Sequence, residues 1–282
     1  HFPDLADAAN PHIALLDRVI GLQCDLVAHW LGVGFIHGVM NTDNIAISGE
    51  TLDYGPCAFM DRFAVNTVFS SIDVNGRYAY GRQPQIMHWN MARFAEALLP
   101  AIHAVDPADV EQAKAIVAAV PERFREAWFA RMRAKLGLVA SSETDADLFD
   151  GLFDALERHS VDFTSFFRAL AMLLRGDDAP LSALLPQRDG MASWIDNWRK
   201  RIDLATVDLM ERATAMDAVN PLYIPRNHLV EAALEAAEAG DMGPWRDLLE
   251  VVRHPFESRD DWEVYAQPAP ETFGPYTTFC GT

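Results

Sequence analysis

Basic residues, cysteines and long apolar runs are all scarce in this chain of 282 residues. Only 23 lysines and arginines stand against 41 aspartates and glutamates, which gives a formal net charge of −18 at pH 7. Proteins that bind nucleic acid neutralise its phosphates with clustered lysine and arginine, so this composition argues against a nucleic-acid partner. It does not exclude a small nucleotide held with Mg²⁺, because carboxylates bind that cation.

The low cysteine count also limits the class of protein. Three cysteines in 282 residues are too few for a disulfide framework. No apolar run reaches the ~18 residues that cross a bilayer, and no signal peptide is visible, so we expect no membrane partner. These features predict a reducing compartment, the cytoplasm in a bacterium or the mitochondrion in a eukaryote. Half of the residues are hydrophobic and 10% are aromatic, which excludes a disordered chain.

Helical periodicity dominates the chain. Asn10 followed by Pro11 is typical of a helix N-terminus, and Gly32 and Gly34 end the apolar pattern that follows. We therefore predict a mainly α fold. The predicted helices are 10–31, 85–103, 106–120, 121–135, 145–160, 161–175, 189–215 and 227–240.

One short stretch has the pattern of a β-hairpin. Two short predicted strands, 45–48 and 51–53, flank a tight turn at Gly49 and Glu50. A tight hairpin brings its ends together, so Asn44 and Asp53 are predicted to lie side by side. An amide oxygen and a carboxylate in that position can bind Mg²⁺ or Mn²⁺ beside a phosphate. Asp43, next to this pair, is placed to accept a proton from an attacking hydroxyl.

The same spacing occurs in protein kinases. Their catalytic loop runs His-Arg-Asp-x-x-x-x-Asn, and an Asp-Phe-Gly follows a hairpin. Here His37 and Asn44 keep the His-to-Asn spacing, and Asp-Tyr-Gly stands at 53–55. The position of the usual catalytic aspartate is Val39, which cannot accept a proton. Asp43 is the expected substitute.

The motifs HGVMNTDN at 37–44 and DYGP at 53–56 are specific enough to indicate a family. The chain closely resembles the selenoprotein O family of kinase-like protein adenylyltransferases. Further matching segments are 75–78, 83–84, 89–90, 93–98, 216–221, 224–227 and 278–282.

The resemblance implies a fold and a reaction. The fold would be a protein-kinase-like C-terminal lobe in which a small β-hairpin carries the metal site, extended by extra helices. The enzyme would transfer AMP from ATP to Ser, Thr or Tyr hydroxyls of proteins and release pyrophosphate. Asp43 would accept the proton, Asn44 and Asp53 would bind Mg²⁺ or Mn²⁺, and Asp53 would also approach the ATP.

The resemblance also divides the chain into segments. Residues 1–282 would form the C-terminal lobe, and the ATP-binding N-lobe, with its glycine-rich loop and phosphate-binding lysine, is expected to be missing and to complete the site. Within the lobe we expect a catalytic loop at 37–44, a segment like Asp-Phe-Gly at 53–55, an activation-loop-like segment at 56–82, a helical extension at 104–266 and a tail at 267–282.

Two cysteines carry a further implication of the family. Its C-terminal cysteine or selenocysteine can pair with a cysteine of the activation loop, which suggests a redox pair of Cys57 and Cys280. The alternative is two free thiols. Arg62, Arg77 and Arg82 follow the metal site, and they either steer a phosphate or a substrate acid or pin the loop to acidic neighbours.

Two other functions remain open from the sequence. One is a non-catalytic pseudokinase module that only binds partners, which Val39 favours. The other is ordinary phosphoryl transfer with ATP in the usual orientation. The presence of Asp43, Asn44 and Asp53 together favours the adenylyltransferase.

Overall fold

The computed structural model describes residues 1–185, 191–202 and 208–279. These residues form a mainly helical protein with one small sheet, as predicted. The helices are α1 (Pro11–Gly32), α2 (Gln83–Val105), α3 (Asp109–Ala118), α4 (Val120–Lys135), α5 (Asp145–Arg158), α6 (Phe163–Leu174), α7 (Ala179–Leu184), α8 (Ala192–Ile202), α9 (Leu209–Asp217), α10 (Asn227–Glu238), α11 (Gly243–Arg253) and α12 (Glu263–Ala266).

The first helix begins where the sequence predicts. The side chain of Asn10 accepts hydrogen bonds from the backbone N–H groups of His12 and Ile13, which satisfies two donors that a helix N-terminus leaves unpaired. Pro11 occupies the first helical position, where no N–H is needed. Helix α1 packs against α2, α3 and α4.

The β-structure differs from the prediction. Residues 45–53 contain a single antiparallel bridge, between Ile45 and Thr51. The two strands lie outside this segment: β1 (Phe35–Ile36) pairs antiparallel with β2 (Ala58–Phe59). The predicted hairpin is wrong as a two-stranded element, yet its ends still meet because the bridge closes the loop.

The loop 45–53 is bound to α1 as well as to itself. Gln23 Nε2 donates to the carbonyl of Ala46 at 2.6 Å, and Trp30 Nε1 donates to Thr51 Oγ1 at 2.9 Å. The bond from Gln23 takes up a backbone carbonyl that a longer hairpin would need for its ladder. The tertiary contact therefore replaces the strand pairing that the pattern favours.

The single helix predicted over 189–215 is also wrong. Residues 189–190 and 203–207 lie outside the described ranges, and the remainder forms α8 and α9. Asp208 has an extended backbone, and its side chain accepts from Met210 N and Glu211 N. It therefore starts a new helix.

The described residues form one small apolar cluster of Tyr223, Val251 and Trp262 and two large ones. One large cluster joins α1, α2, α3 and α4 and includes Met40 from the loop after β1. The other joins α4, α5, α6, α8 and α9 and includes Met60 and Phe63 from the segment after β2. Residues 37–57 connect the two large clusters, which places this loop against packed helices. In the described part of the chain, no helix combines the length and apolarity that crossing a bilayer requires.

Candidate functional site

The segment 37–44 is held by buried hydrogen bonds from distant elements. His37 is fully buried, its backbone N donates to Gln83 Oε1 at 3.0 Å, and its Nε2 bonds to the Leu52 carbonyl at 2.8 Å. Burial lowers the pKa of His37, so the neutral ring donates from Nε2. His37 thus fixes Leu52, the residue before Asp53, which gives it a structural role in the loop.

Asn44 and Asp53 lie side by side, as predicted. Asn44 Nδ2 donates to Asp53 Oδ2 at 3.0 Å and also to the Val39 carbonyl at 3.0 Å. The hydrogen bond to the Val39 carbonyl fixes the orientation of the Asn44 amide. One carboxylate and one amide are thereby positioned at the mouth of the loop.

The backbone at Asp53 has an uncommon conformation. Its φ is +57°, in the left-handed region that residues other than glycine rarely adopt. Asp53 Oδ1 accepts from Gly55 N at 3.1 Å, a local bond of the kind that lets aspartate occupy this region. The carboxylate is therefore turned towards Asn44 and not along the chain.

Asp43 is exposed and lies in the short turn Thr42–Asn44. Its carboxylate forms no hydrogen bond or ion pair with the residues that the structure describes. It therefore presents free oxygen atoms to solvent beside the Asn44–Asp53 pair. These are the properties of a group that can accept a proton from an incoming hydroxyl.

The donor set suits a hard cation only if other ligands join it. Across the described ranges, no group of three or more His, Cys, Asp or Glu side chains is arranged to hold a metal ion. Asn44 and Asp53 offer two oxygen-bearing side chains near solvent. That fits Mg²⁺ or Mn²⁺, which are commonly bound by one or two protein carboxylates and completed by water and phosphate oxygens.

Three buried or partly buried side chains support the loop, and the sequence did not indicate their roles. Tyr78 donates its hydroxyl to Asn41 Oδ1 at 2.6 Å, and Asn90 Nδ2 donates to the Met40 carbonyl at 3.0 Å. Gln83 holds both His37 and, through Nε2, the Phe35 carbonyl at 3.0 Å. Each lies in a segment that matches the family, but only the fold shows what it touches.

The C-terminal tail lies against the segment that follows Asp53. Thr278 Oγ1 donates to the Pro56 carbonyl at 2.7 Å, and Thr278 N donates to the Phe69 carbonyl at 2.8 Å. Burial, helped by the negative charge of Asp53, raises the pKa of Cys57 to about 11. Cys280 lies outside the described residues, so its pairing with Cys57 stays a prediction.

Comparison with known proteins identifies the family. A profile described as protein adenylyltransferase SelO matches residues 1–253. A protein nucleotidyltransferase YdiU of Sphingopyxis alaskensis is 74% identical over 282 residues, all of this chain and 58% of the relative. Proteins of the same name from Mycobacterium sp. (strain KMS) and Cereibacter sphaeroides (strain ATCC 17025) are each 50% identical over the whole chain, which covers 57% of each relative.

The chain therefore belongs to the protein adenylyltransferase SelO family, as its motifs indicated. It spans between half and two thirds of the length of these curated relatives.

Proposed function

We propose that this chain is the catalytic-loop portion of a kinase-like protein adenylyltransferase. It takes part in transferring AMP from ATP to a Ser, Thr or Tyr hydroxyl of a protein. The observation that carries the proposal is the 3.0 Å contact between Asn44 and Asp53 with the free carboxylate of Asp43 beside it. Membership of the family supports the same reaction.

Asp43 is proposed as the general base. The substrate hydroxyl gives its proton to an Asp43 oxygen while its own oxygen attacks the α-phosphorus of ATP. The bond from that phosphorus to the bridging oxygen of the β-phosphate breaks, and pyrophosphate leaves with the electron pair. Val39, at the usual position of a kinase base, is buried and has no proton acceptor in its side chain.

Asn44 and Asp53 are proposed to hold Mg²⁺ or Mn²⁺. When bound, the cation neutralises charge that develops on the phosphates. The hydrogen bond to the Val39 carbonyl keeps the Asn44 amide in place, and the bond from Gly55 N does the same for the Asp53 carboxylate. For both side chains to bind one cation through oxygen, the hydrogen bond from Asn44 Nδ2 to Asp53 Oδ2 has to open, because an amide N–H group is a donor and cannot ligate a metal.

The rest of the nucleotide site is proposed to come from outside this chain. Residues 37–44 would be the catalytic loop, 53–55 the counterpart of Asp-Phe-Gly, 56–82 the activation-loop-like segment, 104–266 the helical extension and 267–282 the tail. An N-lobe would supply the glycine-rich loop and the phosphate-binding lysine. Titration calorimetry with MgATP tests this division, because the isolated chain should bind far more weakly than the whole protein.

The decisive experiment measures the mass of a protein acceptor after incubation with MgATP and the whole protein. Adenylyl transfer adds the mass of AMP, phosphoryl transfer adds only a phosphate, and a pseudokinase adds neither. Asp53→Ala should abolish the gain. Glu50→Gln, which changes an exposed carboxylate in the same loop, is the matched control and should label like the native protein. Equal labelling by Asp53→Ala would refute the site.

A redox link between Cys57 and Cys280 is proposed as an addition to this function. Thr278, two residues before Cys280, hydrogen-bonds to the residue before Cys57, which supports the pairing. Non-reducing peptide mapping after mild oxidation tests it. Recovery of a Cys57–Cys280 peptide is expected, and two free thiols would contradict it.

A further inference from the structure

A loop beside the candidate site presents apolar side chains to solvent. Asp73 is buried, and its two carboxylate oxygens accept from Arg77 N and Tyr78 N, each at 2.7 Å. Because Asp73 points inward, its neighbours are turned outward: Ile72 is 60% exposed and Val74 is 88% exposed. The loop is held by Asp73, so its own fold does not explain why these two exposed positions are apolar.

Cationic and aromatic side chains continue the same surface. The guanidinium of Arg77 lies 5.1 Å from the ring centre of Trp89, which is 42% exposed. Arg82 donates to the carbonyls of Asn75 and Gly76 at 3.2 and 3.1 Å. Arg77 and Arg82 line one shallow depression with Asn75.

Within the described ranges, Arg77 and Arg82 form no ion pair with a carboxylate. This is notable in a protein with 41 acidic and 23 basic residues, many of whose other arginines are paired. The sequence left open whether these side chains pin the loop to acidic neighbours, and the structure shows that they do not. Their remaining N–H donors are available to a carboxylate from elsewhere.

Hydrogen bonds attach this surface to the loop that carries Asp43. Tyr78, next to Arg77, binds Asn41, and Asn90, next to Trp89, binds Met40. Asn41 is the residue before the turn Thr42–Asn44. A peptide held on this surface therefore contacts a part of the fold that is hydrogen-bonded to the loop of Asp43.

We propose that Ile72, Val74, Arg77, Arg82 and Trp89 form a docking surface for a protein substrate that carries acidic and apolar residues near its acceptor hydroxyl. The inference rests on the proposed function and names its substrate class. Arginine and tryptophan are enriched among the residues that dominate protein interfaces. Because the chain as a whole is strongly acidic, an acidic segment is attracted here and repelled elsewhere, which gives the substrate one orientation.

The test measures peptide binding by the whole protein without ATP. The probe is a fluorescein-labelled peptide rich in glutamate and leucine around one tyrosine, and its partner has glutamine in place of every glutamate. Fluorescence anisotropy should show the acidic peptide binding about tenfold more tightly, since one charge-assisted pair contributes roughly that factor. Equal affinity for the two peptides would overturn the proposal. This holds both if the part of the whole protein outside this chain covers the surface and if the surface binds no peptide.

Three variants sharpen the test. Arg77→Glu should weaken binding of the acidic peptide at least about tenfold, and Val74→Asp, which changes only an exposed side chain, should weaken it without touching the arginines. Arg246→Glu is the matched control, because Arg246 is an exposed arginine of α11 without a carboxylate partner in the described structure. If Arg246→Glu weakens binding of the acidic peptide as much as Arg77→Glu does, the effect is a general one of charge and the docking surface is refuted. The docking surface is also refuted if neither peptide binds and the native protein self-associates in a way that Arg77→Glu abolishes.

Kinetics separate this inference from the proposed function. Arg77→Glu should raise KM for AMP transfer to the acidic peptide, and a loss confined to kcat would contradict docking. If the native protein transfers no AMP to any acceptor while Arg77 still governs peptide binding, the proposed function fails and the docking surface stands. If AMP transfer occurs but is indifferent to Arg77 and Val74, the docking surface fails alone.

Discussion

The amide of Asn44 donates a 3.0 Å hydrogen bond to the carboxylate of Asp53 across the mouth of one loop. The same amide is fixed from behind by the Val39 carbonyl. The pair is therefore positioned before any ligand arrives. Asp43, one residue away from Asn44, stays outside this network, so the two proposed roles of the site are carried by separate groups.

This separation predicts different defects for different substitutions in the whole protein. Asp53→Ala should weaken Mn²⁺ binding in the presence of ATP and lower AMP transfer by about 10²-fold or more, since a charge-stabilising group is lost. Asp43→Asn should lower transfer by about 10²- to 10⁴-fold and leave Mn²⁺ binding unchanged. Electron paramagnetic resonance of Mn²⁺ and product mass spectrometry measure the two effects. Loss of Mn²⁺ binding in Asp43→Asn would contradict the assignment.

Gly38 allows the catalytic loop to approach the segment after Asp53. Its φ is +83°, and a Cβ added there would lie 2.7 Å from the Pro56 carbonyl oxygen. Gly38→Ala should lower the free energy of unfolding by about 2–3 kcal/mol, combining backbone strain with the clash. Gly240→Ala is the control, because its φ is +92° but nothing lies within 4 Å. Urea denaturation should show the smaller effect for Gly240→Ala, and equal effects would mean that the close approach is unimportant.

Arg226 joins two distant segments inside the protein. Its guanidinium is fully buried and binds both carboxylate oxygens of Asp162 at 2.6 and 3.1 Å, and it also binds Asp61. Arg226→Met leaves the Asp162 carboxylate buried without its partner, so the free energy of unfolding should fall by about 3–5 kcal/mol. The double variant Arg226→Met/Asp162→Asn should recover part of this loss in urea denaturation. A fall below about 1 kcal/mol in the single variant would contradict the predicted cost of leaving the Asp162 carboxylate buried without Arg226.

Lys135 predicts a dependence of stability on pH. Its amino group is buried, binds Asn220 Oδ1 at 2.6 Å and lies 3.8 Å from the ring centre of Phe167. Burial holds the pKa of Lys135 well below its usual value, with a smaller contribution from the positive charge of Arg131. The unfolded chain then binds a proton that the folded chain does not.

The sign follows from that difference. The free energy of unfolding rises with pH between the lowered pKa of Lys135 in the folded protein and its unfolded value of about 10.4. In this range the unfolded chain is stabilised by binding a proton at Lys135, and this stabilisation is lost as the pH rises. Lys135→Met should lose this contribution, so the difference in stability between the native protein and the variant should change in favour of the native protein as pH rises. Urea denaturation at a series of pH values measures it, and a constant difference would contradict the prediction.

Local patterns predicted most of the elements. Asn10 and Pro11 mark the start of α1 within one residue, because a capping side chain and a proline act on their own backbone. Helix α11 was missed, since only Leu248 and Val251 of it are buried and its apolar face is short. The single helix over 189–215 failed at Asp208, whose side chain competes with the helix for backbone donors.

The candidate site was predictable to the same degree. The turn between Asn44 and Asp53 depends on neighbouring residues, so the closeness of the two side chains could be inferred. The strand pairing predicted over 45–53 was wrong, because contacts with α1 decide it. The supports of the loop were not predictable. Gln83 and Asn90 lie 46 and 50 residues from the groups they bind, and no short-range pattern reports such a contact.

The sequence alone predicted the mainly helical fold and the family, and it proposed Asp43, Asn44 and Asp53 as candidate site residues, because motif spacing and helical periodicity are local properties. Tertiary structure decided which polar side chains are buried supports and which face solvent. His37 is enclosed by Trp30 and Phe35, while Arg77 and Val74 are turned outward because Asp73 occupies the inside of their loop. Burial depends on contacts between distant segments, and only the folded chain brings those segments together.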